Sequence, residues 1–247
     1  MRIVVCLKRV PDTESVIRIA PDGGAILSEG LNFIINPYDE YAIEAALQLK
    51  EAQGGEVLLL CVGEAEAEST LRKGLAMGAD EAVLLKVESD LREPLPTAAL
   101  LAAWLRAHPA DLILAGKQGV DYDHGATPGM LAELLGLPSA TAICALQVAE
   151  GQAVVEREIE GGRERLRLPL PCVLSADKGL NEPRYASLKG IMMAKKKPLA
   201  VEDAAAAAAA ACHLETPPAR PAGRVVGTGA EAAPELLRLL RDEARVL

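Results

Sequence analysis

Apolar residues in this chain gather first into short unbroken runs, each followed by a stretch in which they recur every three to four positions. Ile3–Leu7 is continuously apolar, as a strand buried on both faces must be. Pro37–Gln53 places Ala42, Ile43, Ala46, Leu47 and Leu49 at helical spacing, opens on proline and is closed by Gly54-Gly55. Val57–Val62 predicts the next buried strand, and a helix runs through Leu71 and Leu75 to Met77. Ala82–Val87 and Leu112–Ala115 predict two more strands, followed by helices over Pro96–Ala107 and Thr127–Leu135. Val16–Ile19 and Ala25–Leu27 flank Pro21-Asp22-Gly23-Gly24, the composition of a small hairpin. Strand and helix alternating at this spacing predict an α/β fold, a parallel twisted sheet with right-handed crossovers and helices on both faces.

After Pro138 the period drops to two. Thr141–Val148, Ala153–Glu160 and Arg163–Leu168 alternate, with turns at Glu150-Gly151 and Gly161-Gly162, which predicts an antiparallel β meander. Pro169–Ser175 adds an apolar strand. The segment Ala176–Lys197, ADKGLNEPRYASLKGIMMAKKK, then combines several signals. Gly179 permits a tight turn. Asn181 with Pro183 predicts a helix start, and Ala186, Leu188, Ile191, Met192 and Met193 supply that helix with an apolar face. Leu180 falls just outside the helix, at the tip of the turn. Helix grammar alone leaves open whether it is a hydrophobic staple or an exposed anchor. Lys195–Lys197 puts positive charge at the helix C-terminus, where the dipole favours it, and reads as a solvated helix end. Beyond Pro198 come eight consecutive alanines (Ala204–Ala211), the prolines 217, 218 and 221, and a final amphipathic helix over Pro234–Val246. Polyalanine favours helix but lacks the apolar bulk to build a core, so 195–247 reads as an extended C-terminal arm attached to a domain of residues 1–194.

Half of the residues are hydrophobic, yet there is one Phe and one Trp, so the core is built of Leu, Val, Ile and Ala. A net charge of −9 argues against nucleic acid or an anionic membrane as partner. Cys6, Cys61, Cys144, Cys172 and Cys212 are odd in number and contain no C-x-x-C, which suggests neither a disulfide framework nor a zinc site. His108, His124 and His213 are too dispersed for a metal cluster. The chain opens directly into a strand with no signal peptide, and no apolar run approaches membrane-spanning length; the expectation is a soluble, cytoplasmic protein. No nucleophile–base pair and no paired catalytic carboxylates stand out, which points to a carrier rather than a catalyst of bond chemistry.

Three places carry candidate chemistry. The loop Ala115–Met130, AGKQGVDYDHGATPGM, follows a buried strand and feeds a helix that begins at Thr127 and Pro128. Free backbone N–H groups and the dipole make such a junction an anion site, and ligands of open α/β sheets bind beyond the carboxyl ends of the strands. Gly116, Gly119 and Gly125 allow close approach, Thr127 offers a hydroxyl to a phosphate, Lys117 is a countercharge, and Asp121 and Asp123 suit ribose hydroxyls or loop amides. An ordinary loop capped by Thr127 accounts for the same residues, and the loop is not a Walker A sequence. The second place is Asn36-Pro37-Tyr38-Asp39, a capped helix start after Phe33–Ile35. The third is Cys6-Leu7-Lys8-Arg9-Val10, where the first strand ends.

The pattern LNEPRYASLxxIMxAKKK at Leu180–Lys197 resembles the signature segment of electron transfer flavoprotein β subunits, and the likeness covers most of residues 1–200. The resemblance implies a Rossmann-like, adenine-nucleotide-binding domain and a recognition loop at 176–185 that docks partner dehydrogenases through Leu180, Asn181, Glu182, Pro183, Arg184 and Tyr185, with Leu180 as the anchor. It also implies a bound AMP. Carried over by position, its contacts are Cys6 at the first strand end, Asn36, Pro37, Tyr38 and Asp39 at the first helix, and Val62 at the second long strand. In the loop they are Gly116, Lys117, Gln118, Gly119, Val120, Asp121, Tyr122, Asp123, His124, Gly125, Ala126 and Thr127. Many members read N-Q-T-G-Q where this chain reads Gly125-Ala126-Thr127-Pro128-Gly129, so backbone donors must do more of the binding. A bifurcating branch of the family holds a second FAD here and typically has Gly at the position of Tyr122 and Val at that of Thr127; Tyr122 and Thr127 favour AMP. The region that approaches the flavin in some members, Val10–Thr13, lacks their aromatic residue.

By resemblance, then, the chain is the β subunit of a heterodimer whose FAD is held mainly by an α subunit that the arm embraces. It would accept electrons from primary dehydrogenases, such as the acyl-CoA dehydrogenases of fatty acid oxidation, and pass them toward the respiratory chain through a quinone oxidoreductase. A bifurcating relative and a nucleotide-binding regulatory module are the alternatives, and the second has no use for the Leu180–Lys197 segment.

Overall fold

The computed structural model describes residues 1–88, 91–204, 213–220 and 222–247; the alanine run beyond Ala204, Cys212 and Pro221 lie outside them. Strands that are apolar on both faces need helices on both sides, and the chain provides them around a nine-stranded sheet. The first half gives β1 (Arg2–Leu7), β2 (Arg9–Pro11), β3 (Phe33–Ile35), α1 (Pro37–Gln53), β4 (Glu56–Gly63), α2 (Ala67–Met77), β5 (Glu81–Lys86), α3 (Pro94–Ala107), β6 (Leu112–Gly116) and α4 (Thr127–Leu135). The second half gives β7 (Ser139–Ala149), β8 (Gln152–Ile159), β9 (Gly162–Pro169), β10 (Cys172–Ala176), α5 (Leu188–Ala194), β11 (Leu199–Asp203) and α6 (Ala233–Asp242).

Across the sheet the order is β11-β5-β4-β1-β6-β10-β7-β8-β9. Every pairing from β11 to β7 is parallel, and β7–β8 and β8–β9 are antiparallel. The meander is therefore a continuation of the main sheet, and β10 returns to lie between β6 and β7. Alternate residues of each central strand feed two cores. Ile3, Val5 and Leu7 join Leu59, Ile43 and Leu47 of α1 and Leu71 and Leu75 of α2 on one face. Val4 and Cys6 join Leu58, Leu60, Leu101 and Leu105 of α3 and Leu131 of α4 on the other. From β1 the chain winds one way to β4 and β5, then returns to lay β6 on β1's other side. The direction of winding reverses between β1 and β6, which opens a crevice beyond their carboxyl ends.

Phe33–Ile35, read from sequence only as an apolar run, pairs antiparallel with β2 in a separate two-stranded sheet. Three local expectations need correction. The hairpin about 21–24 is present only in short form, held by Ala20 N–H donating to Ala25 O and Leu27 N–H donating to Arg18 O, each at 2.8 Å. The helix expected from Pro183 starts at Leu188 instead, with Ser187 as its cap, Gly190 N–H donating to Ser187 Oγ at 3.0 Å. Asn181 does not cap it because its side chain donates to Tyr41 O at 2.9 Å, and Arg184 is pinned to α1. Lys197 is not a solvated end: its Nζ donates to Leu75 O and Ala79 O, capping the C-terminus of α2, and burial lowers its pKa.

Residues 199–203, placed in the tail by sequence, form β11 on the edge of the sheet beside β5. The remaining residues make a second, small unit of Ile19–Ala25 with His213–Leu247. Within it Leu214 N–H donates to Gly23 O at 2.9 Å, and Arg238 of α6 pairs with Glu235 at 2.8 Å. Among the described residues no helix is long and apolar enough to cross a membrane, and no cluster of His, Cys, Asp and Glu could hold a metal ion.

Candidate functional site

The crevice between β1 and β6 is organised by two side chains at the start of α1. Asn36 occupies the N-cap position, but its side chain does not cap the helix. It crosses to the loop after β6, where Nδ2 donates to Gln118 O at 2.9 Å and Oδ1 accepts from Val120 N–H at 3.1 Å. Asp39 is buried one turn later and accepts Lys8 N–H at 2.6 Å, Gly116 N–H at 2.9 Å and Asn36 Nδ2 at 3.0 Å. One carboxylate thus ties the ends of β1 and β6 to the first turn of α1. Burial pushes the Asp39 carboxyl up to about 7, against the pull of its three N–H donors and of Lys8 nearby.

Gly116 is required by space. A Cβ there would meet the carbonyl carbon of Tyr38 at 2.7 Å and the Asp39 carboxylate. Two cations border the loop past it, Lys8 from the end of β1 and Lys117 within the loop itself, and both are paired. Lys8 Nζ lies 2.6 Å from Asp121 Oδ2 and 4.7 Å from the Tyr122 ring centroid. Lys117 Nζ lies 2.9 Å from Asp177 and 4.8 Å from the Tyr38 ring centroid. The hydrogen bond from Asp177 raises the Lys117 pKa. Gln118 Nε2 donates to Asp123 Oδ1 at 2.7 Å, and Asp123 (φ 52) and Gly125 (φ 63) turn the chain toward α4.

Thr127 is the first residue of α4 rather than its cap. Ala126 stands at the N-cap with no side-chain bond, and Pro128 follows Thr127. The helix therefore opens with uncapped N–H groups facing the loop, an electropositive end without an internal acceptor. Cys6, near the end of β1, pairs with Leu60 of the parallel β4, and Val62 lies two residues further along that strand. Burial raises the pKa of Cys6 beyond any reactive range, so it serves as packing. Asn36–Asp39, Cys6 and Gly116–Val120 are thus brought together, whereas His124 is exposed on the outer part of the loop.

The segment 180–185 is not uniformly exposed. Leu180 is half-buried against the first core, Tyr185 is 98% exposed, and Glu182 is exposed. Arg184 forks onto α1: Nε reaches Glu44 Oε2 at 2.7 Å, Nη2 reaches Glu44 Oε1 at 3.0 Å, and Nη1 reaches Glu51 at 2.5 Å. The Glu51 and Glu44 carboxylates hold the guanidinium above its usual range. Burial pushes Glu44 up, but Arg184 and Gln48 pull it net below the usual carboxylate range. Leu188 and Met192 of α5 are 83% and 72% exposed, so the apolar face expected there looks outward. Sequence reasoning did not single out Glu44 or Asp177 as partners. The only signal for Glu44 was a charge set inside the apolar run Ala42-Ile43-Glu44-Ala45-Ala46.

Comparison with known proteins places these features in a family. Residues 24–207 match the model of the electron transfer flavoprotein domain. The chain is 43% identical over 259 residues to the electron transfer flavoprotein subunit beta of Bacillus subtilis (strain 168), with all of both chains covered. It is 40% identical over 250 residues to the protein of that name from Bradyrhizobium diazoefficiens, again over the whole of both chains. It is 38% identical over 256 residues to that from Homo sapiens, with 100% of this chain and 99% of the relative covered. The segment that carries the sequence resemblance and the full-length identities agree, and the chain belongs to the electron transfer flavoprotein β-subunit family.

Proposed function

We propose that this chain is the β subunit of an αβ carrier that receives electrons from primary dehydrogenases, acyl-CoA dehydrogenases among them, and delivers them toward a quinone oxidoreductase of the respiratory chain. The α subunit holds most of the FAD, which supplies the redox chemistry when bound, and the arm beyond β11 embraces that partner. The crevice at β1 and β6 holds AMP. The observation that carries the AMP reading is the uncapped N-terminus of α4 at the end of the Gly116–Thr127 loop. Because Lys8 and Lys117 already face Asp121 and Asp177, backbone N–H groups rather than a free lysine meet the phosphate. Asn36 and Asp39 fix the loop, and Cys6 and Val62 wall the adenine side.

Quantifying nucleotides released from the denatured αβ complex tests this. One AMP and one FAD per pair is the expected result; two FAD and no AMP would replace it with a bifurcating carrier.

Docking through Leu180 makes a separate prediction. A fully buried leucine contributes roughly 1.5–3 kcal/mol, so Leu180→Ala should slow reduction by a dehydrogenase about ten- to a hundredfold while flavin content stays intact. Leu180 is half-buried before docking, which sets the expectation at the lower end. Stopped-flow reduction with unchanged rates would remove Leu180 from the mechanism.

A further inference from the structure

We propose that Glu44 is a positioning residue for electron transfer, acting through Arg184 to hold the segment 180–185 in its docking-ready shape; this rests on reading that segment as the dehydrogenase-docking loop. Residues 181–187 form neither helix nor strand, so the segment has no backbone ladder to order it. Flexible loops of this kind spend binding energy on their own ordering, and fixing even a few residues would cancel the gain from a single docked leucine. The structure removes that cost beforehand at three points. Lys117 holds Asp177 at the near end, at 2.9 Å. Asn181 donates to the Tyr41 carbonyl at 2.9 Å. Glu44 takes both the Nε and Nη2 of Arg184 and also its backbone N–H at 3.2 Å.

Glu44 is 3% exposed, an expensive place for a carboxylate unless it is fully paired. Gln48 supplies the further donor, Nε2 to Oε1 at 2.9 Å, so every oxygen is engaged. Glu51 grips the same guanidinium from a half-exposed site, so it is the weaker of the two carboxylates. The planar fork of Arg184 is what spans both, which a lysine cannot copy. The same helix begins at Asn36 and Asp39, so α1 forms a single rigid strut between the nucleotide crevice and the docking loop.

The test uses the intact αβ complex with a purified acyl-CoA dehydrogenase and its acyl-CoA substrate. Glu44→Gln, which keeps shape and removes charge, should raise the KM for the flavoprotein about tenfold, with kcat, FAD and AMP content unchanged. Amide hydrogen exchange in 180–187 of the free complex should accelerate by about the same factor or more. Arg184→Lys should reproduce the change, and Glu51→Gln should give about a twofold effect. Exchange in 180–187 that stays at the wild-type rate overturns the clamp, whatever KM does. Accelerated exchange with an unchanged KM overturns the docking reading instead, and with it the role in electron transfer assigned to Glu44.

Discussion

Asp39→Ala is expected to lower the stability of the protein by about 2–5 kcal/mol, because it strands buried donors rather than merely deleting a contact. The N–H groups of Lys8 and Gly116 point at the carboxylate from strand ends with no other acceptor shown for them, and Asn36 Nδ2 keeps only Gln118 O. For a chain of this length that corresponds to a fall of about 5–15 °C in Tm. Calorimetry of the complex checks it, and a Tm within a degree or two of wild type would show that Asp39 is not the organiser of the crevice. Asp39→Asn is the companion variant. The folded carboxyl is raised to about 7, so protonation favours the fold: that contribution is full below the unfolded value of roughly 3.9 and is lost as pH rises through about 7. Asn cannot titrate, and its stability curve should be flatter than wild type between roughly pH 4 and 7.

Gly116→Ala should be nearly as damaging, for a different reason. Its methyl group would sit 2.7 Å from the Tyr38 carbonyl carbon, and that backbone belongs to the first turn of a helix whose Ala42 and Ile43 are fully buried. Neither side has room to withdraw, so overpacking of about 1–3 kcal/mol is expected, with displacement of the loop and, on the AMP reading proposed above, loss of that nucleotide. Gly129→Ala is the control. Nothing lies within 4 Å of a Cβ at Gly129, which is inside α4, so alanine should be neutral or stabilise by about 0.5–1 kcal/mol. Denaturation midpoints and AMP per complex, measured on both variants, separate the two cases. Equal behaviour would mean that the close approach at Gly116 is not structurally limiting.

Much of the sheet was legible because its signals are local. An unbroken apolar run defines β1, and α1 and α4 have the expected bounds, Pro37–Gln53 and Thr127–Leu135. The misses share one cause, a partner far away in sequence. Asn181-x-Pro183 has the grammar of a helix start, but Tyr41 and Glu44 claim Asn181 and Arg184 across 140 residues. Leu199–Asp203 is too short and too exposed to show a strand period, and becomes one only because β5 offers an open edge. At the site, the loop and the helix start could be read from glycine, proline and asparagine placement. The choice of Asp39 as the point where two strand ends meet could not, since an aspartate in the first turn of a helix ordinarily faces solvent. The pairing of Lys117 with Asp177 could not be read either, because Asp177 lies 60 residues further on.

The placement of β10 and β11 in the same sheet bears on how the protein tolerates damage. The chain leaves the sheet at Ala176 and rejoins it at Leu199, so the segment between them is a loop with both feet on one platform. The chain after it is held by the β5 ladder, by Arg72 donating to the carbonyls of Ala194 and Lys197, and by Lys197 on the end of α2. A single cut between Lys178 and Ser187 would therefore yield two fragments that stay assembled. Such a severed carrier would keep its fold while each half of the cut loop had lost one of its two moorings.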